Sequence, residues 1–152
     1  MLNIVLVEPQ IPPNTGNIGR LCVNIGARLH LVGPLGFSID DRSLRRAGLD
    51  YWTQLDVVTW ESLEDFLVAH PVDEHTHLAT TKTDRTYWDA SYREEDFLMF
   101  GSETKGLDAK LLETHPDRCI TIPMTDNGRS LNLSVAVGIV AYEVLRQNRR
   151  KA

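Results

Sequence analysis

Leu2-Asn3-Ile4-Val5-Leu6-Val7-Glu8-Pro9-Gln10-Ile11-Pro12-Pro13-Asn14-Thr15-Gly16-Asn17-Ile18-Gly19-Arg20-Leu21-Cys22-Val23-Asn24-Ile25-Gly26 joins three different patterns in one short stretch. Leu2–Val7 is a continuous apolar run that stops at Glu8-Pro9, the signature of a strand buried on both faces. Pro12-Pro13-Asn14 reads as a loop, with Asn14 placed to cap a helix. Ile18, Leu21, Cys22 and Ile25 then recur at helical spacing on one face. Gly26 closes the helix, because glycine takes the left-handed cap conformation without steric cost. A buried strand, a turn and an amphipathic helix make half of a parallel β-α-β unit.

The same alternation continues outward. Arg28–Val32 is a second strand, broken at Gly33-Pro34. Asp40–Ala47 reads as a short basic helix with Gly48 after it. Asp56–Thr59 is a third strand, and Ser62-Leu63-Glu64-Asp65 begins a short helix that ends near His70. Leu78–Thr81, Phe97–Phe100 and Cys119–Ile122 are further strands, with a helix near Asp108–Glu113 between the last two. A final helix runs from about Leu133 to Arg149, with Val137, Val140, Ala141, Val144 and Leu145 on its apolar face. Strands alternating with helices predict an α/β fold with a mostly parallel sheet flanked by helices. Ligands bind such sheets beyond the carboxyl ends of the strands, so the loops after Val7, Thr81, Phe100 and Ile122 are where chemistry is expected.

Composition narrows the class. The 152 residues suit one domain spanning 1–152, with 42% hydrophobic and 24% charged residues. No apolar run is long enough for a membrane span, and the first residues lack a signal-peptide pattern, so a cytoplasmic location and no membrane partner are expected. The net charge of −5 argues against broad non-specific binding to nucleic acid but permits a local basic face. Basic residues cluster at Arg42, Arg45 and Arg46, and again at Arg146, Arg149, Arg150 and Lys151. Cys22 and Cys119 are far apart and read as buried thiols.

Three loops carry the unusual residues. In the first, Gly16 and Gly19 each cost a helix roughly 1 kcal/mol against alanine. A close approach by another backbone or a ligand would offset that cost. Arg20, one turn in, can reach a phosphate with its forked guanidinium, although a solvated arginine on a capped helix fits equally. In the second, Phe100-Gly101-Ser102-Glu103-Thr104-Lys105-Gly106-Leu107, a buried strand opens into a glycine-bounded loop. Glycine there permits close approach of a flat ligand, and Glu103 can accept hydrogen bonds from a ribose or an amino group. An ordinary strand–helix turn reads the same way. In the third, Ile122-Pro123-Met124-Thr125-Asp126-Asn127-Gly128-Arg129-Ser130-Leu131-Asn132-Leu133-Ser134, an irregular loop leads to a helix capped by Ser130 or Asn132, with Met124 and Leu131 as apolar walls.

Taken together, the segments resemble the SpoU branch of the SPOUT RNA 2′-O-methyltransferases, in particular the short single-domain TrmL type. The family's first motif matches at Asn14, Gly16, Asn17 and Arg20, and its second at Gly101, Glu103 and Gly106. The third matches at Ile122, Pro123 and Ser130-Leu131-Asn132-Leu133-Ser134, and the middle of the chain is similar at Leu44-Arg45-Arg46-Ala47-Gly48-Leu49-Asp50-Tyr51. The resemblance implies a C-terminal trefoil knot, a homodimer, and S-adenosyl-L-methionine (SAM) as cofactor. It implies cofactor contacts at Ala79, Thr80, Gly101, Glu103, Ile122, Met124, Ser130 and Leu131. It gives Arg20 the activation of a ribose 2′-hydroxyl, with Asn14 holding Arg20 or the ribose. RNA contacts are expected at Arg20, Arg42, Arg45, Arg46 and Tyr142, the last also fitting dimer packing. The substrate implied is the anticodon stem-loop of tRNA, at the wobble cytidine or modified uridine of leucine tRNAs. Another tRNA position or rRNA remains the alternative.

Other readings are weaker. The loop after the first strand lacks the GxGxxG of a dinucleotide-binding oxidoreductase. A non-catalytic RNA-binding module would not need Arg20, Gly101, Glu103 and Asn132 intact. His75-x-His77 has no third ligand nearby, so a structural pair is expected rather than a metal site.

Overall fold

The structure is a computed structural model that describes residues 1–40, 42, 44, 46 and 52–149. Strand β1 (Asn3–Val7) leads into helix α1 (Pro12–Ile25), and β2 (Arg28–Val32) comes after it. Next come β3 (Val57–Trp60), α2 (Leu63–Ala69), β4 (Thr76–Ala79) and β5 (Phe97–Phe100). Helix α3 (Ala109–Thr114), β6 (Cys119–Ile120) and α4 (Leu133–Arg149) complete the chain. The strands form one six-stranded sheet in the order β3-β2-β1-β5-β4-β6. Every pairing is parallel, as the alternating pattern predicts.

Strand β1 lies between β2 and β5, which explains its unbroken apolar run. Ile4 and Leu6 face one core, with Ile18 and Cys22 of α1 and Val137, Val140 and Val144 of α4. Val5 and Val7 face the other, with Phe66 of α2 and Leu111 and Leu112 of α3. Ile4, Val5 and Leu6 are wholly buried, each contributing about 1.5–3 kcal/mol by leaving water. The sheet is therefore covered on both faces, and only the strand ends are left to form a site.

Several boundaries shift from the sequence expectation. Helix α1 begins at Pro12, not after a Pro-Pro-Asn loop, and its N-cap is Ile11. Prolines at the first helical positions suit it, because their missing N–H groups would have had no partner. Strand β4 begins two residues early, at Thr76, and stops at Ala79. Strand β6 stops at Ile120, so Ile122 already belongs to the next loop. Gly26 ends α1 as expected, with φ 70° and ψ 39°. At Gly19 a Cβ would lie 3.1 Å from Leu55 Cδ2, so packing of the Trp52–Leu55 segment, not a ligand, occupies that space. Of the expected basic helix at 40–47, Asp40 is instead in a turn, Arg42, Leu44 and Arg46 are helical, and the rest lies outside the described residues.

Two buried histidines organise the sheet away from the carboxyl ends of its strands. Trp60 Nε1–H donates to His30 Nδ1 at 3.1 Å, which leaves His30 Nε2–H to donate to Asn3 Oδ1 at 3.0 Å. Burial, then the neighbouring His70 and Arg28, holds the His30 pKa down to about 4. His77 Nε2 lies 2.7 Å from Asp96 Oδ2, and His75 Nδ1 lies 3.0 Å from Asp96 Oδ1. Burial raises the Asp96 pKa, but hydrogen bonds from His77, the Arg93 amide and His75 outweigh it and leave the carboxyl below its usual range.

Candidate active site

Beyond the carboxyl ends of β4, β5 and β6 lies a cleft of about 510 Å³, within the usual range for a small-molecule site. Its walls are the loops after those three strands, together with the first turns of α1 and α4. Ala79, Thr80, Gly101, Glu103, Ile122, Met124, Ser130 and Leu131 all line it, as does Asn14. Arg20 is exposed on α1 and is not among the lining residues. Arg42 and Arg46 are exposed and also away from the cleft, and Arg45 lies outside the described residues. Tyr142 is 56% exposed on α4.

The loop after β5 is folded tightly on itself. Gly106 N–H donates to Ser102 O at 3.0 Å, and Lys105 N–H to Ser102 Oγ at 3.1 Å. A Cβ on Gly101 would collide with the carbonyl carbon of Gly106. The close approach expected of a ligand at Gly101 is thus made by the loop's own backbone. Glu103 points to α1: its carboxylate accepts from Gln10 N–H at 3.0 Å and from Ile11 N–H at 2.7 Å. A carboxylate at this end also meets the positive pole of the helix. Ile11 makes no side-chain cap of its own, so Glu103 supplies the cap from a distant segment.

Asn14 is not a cap. It lies in the first turn of α1, 7% exposed, and its Oδ1 accepts from Asn132 Nδ2 at 3.0 Å. The other end of the Asn132 amide caps α4, its Oδ1 accepting from Ser134 N–H at 2.9 Å and from the Ser134 hydroxyl. Of the two cap residues expected, Asn132 therefore does this work. Met124 and Leu131 present apolar side chains at 36% and 38% exposure, as walls awaiting an apolar surface would.

Sequence reading did not single out three residues of the loops after β4 and β6. Tyr87 N–H donates to Thr121 O at 2.9 Å, and Thr121 N–H to Arg85 O at 2.8 Å, so the loop after β4 is stitched to the loop after β6. Tyr87, Lys82 and Thr121 line the cleft. The available signal was the adjacent pair Tyr87-Trp88 in an otherwise polar connection.

Cys22 is buried, and burial pushes its thiol up to about 12, out of nucleophilic reach. Among the described residues no group of three or more His, Cys, Asp or Glu could hold a metal ion, and His75 and His77 instead share Asp96. No described helix is long and apolar enough to cross a membrane.

A cleft of this volume with exposed apolar walls at Met124 and Leu131 has room for a nucleoside-sized cofactor such as SAM.

Comparison with known proteins agrees in architecture and sequence. Residues 1–142 match the model of the SpoU rRNA Methylase family. The tRNA (cytidine(34)-2′-O)-methyltransferase of Escherichia coli (strain K12) is 50% identical over 148 residues, covering 97% of this chain and 94% of that protein. A solved structure concerned with 2-OH methylation of C/U34 on tRNA superposes with a TM-score of 0.93 at 41% identity, covering 99% and 97% of the two chains. The SpoU methyltransferase AviRb from Streptomyces viridochromogenes, in complex with AdoMet, is more distant at 25% identity and a TM-score of 0.83. It covers 98% of this chain and 58% of its own.

Proposed function

The chain belongs to the SpoU methylase family, and on that premise we propose that it transfers a methyl group from SAM to the ribose 2′-hydroxyl of the wobble nucleotide of tRNA. The supporting observation is that all eight expected cofactor positions meet in one cleft, in a chain half identical to a position-34 enzyme along nearly its whole length. The substrate is the anticodon stem-loop of leucine tRNAs, with cytidine or a modified uridine at that position. The unit is residues 1–152 acting as one methyltransferase domain in the cytoplasm. The C-terminal part of the fold is threaded as a trefoil knot.

SAM supplies an electrophilic methyl group that needs no metal to activate it. The protein's task is to hold the 2′-hydroxyl in line with that group and stabilise the charge that develops on its oxygen. Such positioning can supply a large part of the rate. Ala79, Thr80, Gly101, Ile122 and Ser130 hold the nucleoside part through loop backbone, while Met124 and Leu131 exclude water. Glu103 keeps the start of α1 against that loop, and Asn14 with Asn132 locks α1 to α4. Arg20 presents a guanidinium, a group that serves poorly as a general base. It orients the ribose and a neighbouring phosphate and stabilises the developing alkoxide instead of acting as a base. Its exposure outside its own subunit's cleft suits a homodimer in which Arg20 of one protomer serves the SAM of the other. Arg42, Arg45, Arg46 and Tyr142 extend the RNA surface.

The test is methyl transfer from labelled SAM to tRNA from a strain lacking the corresponding gene, with the product nucleotide mapped. A 2′-O-methyl at the wobble nucleotide of leucine tRNAs is expected. Transfer elsewhere in tRNA or to rRNA moves the substrate, and SAM binding without any transfer removes the activity.

A further inference from the structure

Trp88 is 52% exposed on a one-turn 3-10 helix, Tyr87–Asp89, at the rim of the cleft. A single exposed apolar side chain is ordinary by itself. This one stands on a turn fastened at several points. The Thr86 hydroxyl donates to Asp89 Oδ2 at 2.6 Å, and Tyr87 N–H donates to Thr121 O at 2.9 Å. The hydroxyl of Tyr92, a wholly buried residue, donates to Tyr87 O at 2.5 Å. Behind it the Gln147 amide clasps the connection, accepting from Tyr92 N–H at 3.0 Å and donating to Ala90 O at 2.9 Å. The indole is thus presented on a braced support, with little backbone freedom left to lose on binding.

Two further features specify what it presents the indole to. Tyr87, a wall of the cleft, rests against Trp88 with ring centroids 5.2 Å apart at 60°, so the aromatic surface runs from the cleft outward. Lys82, Lys105 and Arg129 are exposed and line the same cleft. Asp84, Asp89, Glu94 and Glu95 are the exposed carboxylates of this connection; none of them lines the cleft, and the Thr86 hydroxyl engages that of Asp89. A flat aromatic face beside cationic side chains matches an unpaired nucleobase attached to a phosphate backbone.

We propose that Trp88 is a stacking platform for an unpaired nucleobase of the RNA substrate, adjacent to the nucleotide being methylated. The proposal rests on the reading of the chain as an RNA 2′-O-methyltransferase. It makes Trp88 a determinant of RNA affinity, separate from the cofactor site.

The test compares wild-type protein with Trp88→Ala, Trp88→Phe and Trp88→Leu for binding of unmethylated tRNA at one fixed salt concentration. SAM affinity and sedimentation are measured alongside. Trp88→Ala and Trp88→Leu are expected to weaken tRNA binding about tenfold or more, while Trp88→Phe stays within about threefold, because stacking needs a π face and not merely apolar bulk. SAM affinity and oligomeric state are expected to stay unchanged. A tRNA affinity for Trp88→Ala within about twofold of wild type overturns the proposal. So does rescue by leucine as good as by phenylalanine. A parallel loss of SAM affinity or of the oligomer also overturns it, because Trp88 is then a cofactor wall or a self-association contact. Wild-type protein that binds tRNA but transfers no methyl group removes the enzymatic reading and leaves the platform to be judged on these ratios. Wild-type protein that binds no tRNA removes the platform.

Discussion

Glu103 joins two segments through main-chain amides 93 and 92 residues away. Glu103→Gln keeps an acceptor but loses the charge at the helix end, and should cost about 1 kcal/mol in urea unfolding with an unchanged m-value. His30 gives a second single-residue expectation. Protonating Nδ1 would oppose the Trp60 N–H that it accepts. The folded pKa of about 4 lies below the ordinary 6.5, so at acid pH the unfolded chain binds the extra proton first. The contribution of His30 to stability is therefore complete above pH ~6.5 and is lost as pH falls toward ~4, by about 3 kcal/mol at most. Denaturation at several pH values in that window should show the slope, and His30→Gln should flatten it. Asp96, whose carboxyl is lowered, loses its contribution only below pH ~3.9, so the two windows separate.

Helix α4 starts beside the cleft, and Asn132 both caps it and reaches Asn14 on α1. These two functions can be separated. Asn132→Ala should destabilise by about 1–2 kcal/mol through loss of the cap. Asn132→Asp keeps the capping oxygen but removes the N–H that Asn14 accepts, bringing a carboxylate against an amide oxygen. Thermal unfolding should show most of the stability retained in the aspartate variant, with methyl transfer reduced as in the alanine variant. If aspartate restores transfer as fully as stability, the link between α1 and α4 contributes nothing to the site.

At the scale of the whole molecule, the cleft lies between loops that belong to different parts of the chain. A ligand that bridges them should stabilise the entire fold. SAM at a hundred times its Kd should add about 2.7 kcal/mol, which for a domain of this size raises the melting temperature by roughly 5–11 °C. NAD should produce no shift, because the loop after β1 lacks a dinucleotide fingerprint. A shift with NAD and none with SAM would reverse the cofactor assignment.

Much of this was legible in the sequence, for local reasons. The apolar run at Leu2–Val7, the helical spacing from Ile18 to Ile25 and the stop at Gly26 are set by neighbours a few residues apart. With the same alternation repeated to Arg149, they determined a parallel sheet covered on both faces. They also placed the chemistry in the loops after the strands. The three motif segments named many of the residues that line the cleft, but not Lys82, Tyr87 or Thr121, and Arg20 of the first segment stands outside it. Only the tertiary structure decided what those residues touch. Glu103 proved to be the cap of α1, Asn14 the partner of Asn132, and Gly101 a close contact of its own loop. The strand order β3-β2-β1-β5-β4-β6, the join of Tyr87 to Thr121 and the sharing of Asp96 by His75 and His77 were equally hidden. Apart from the Gly101 contact, each depends on segments distant in sequence. Periodicity constrains which face a residue buries, whereas the partner across that face is fixed only when the sheet closes and most buried polar groups find a bond.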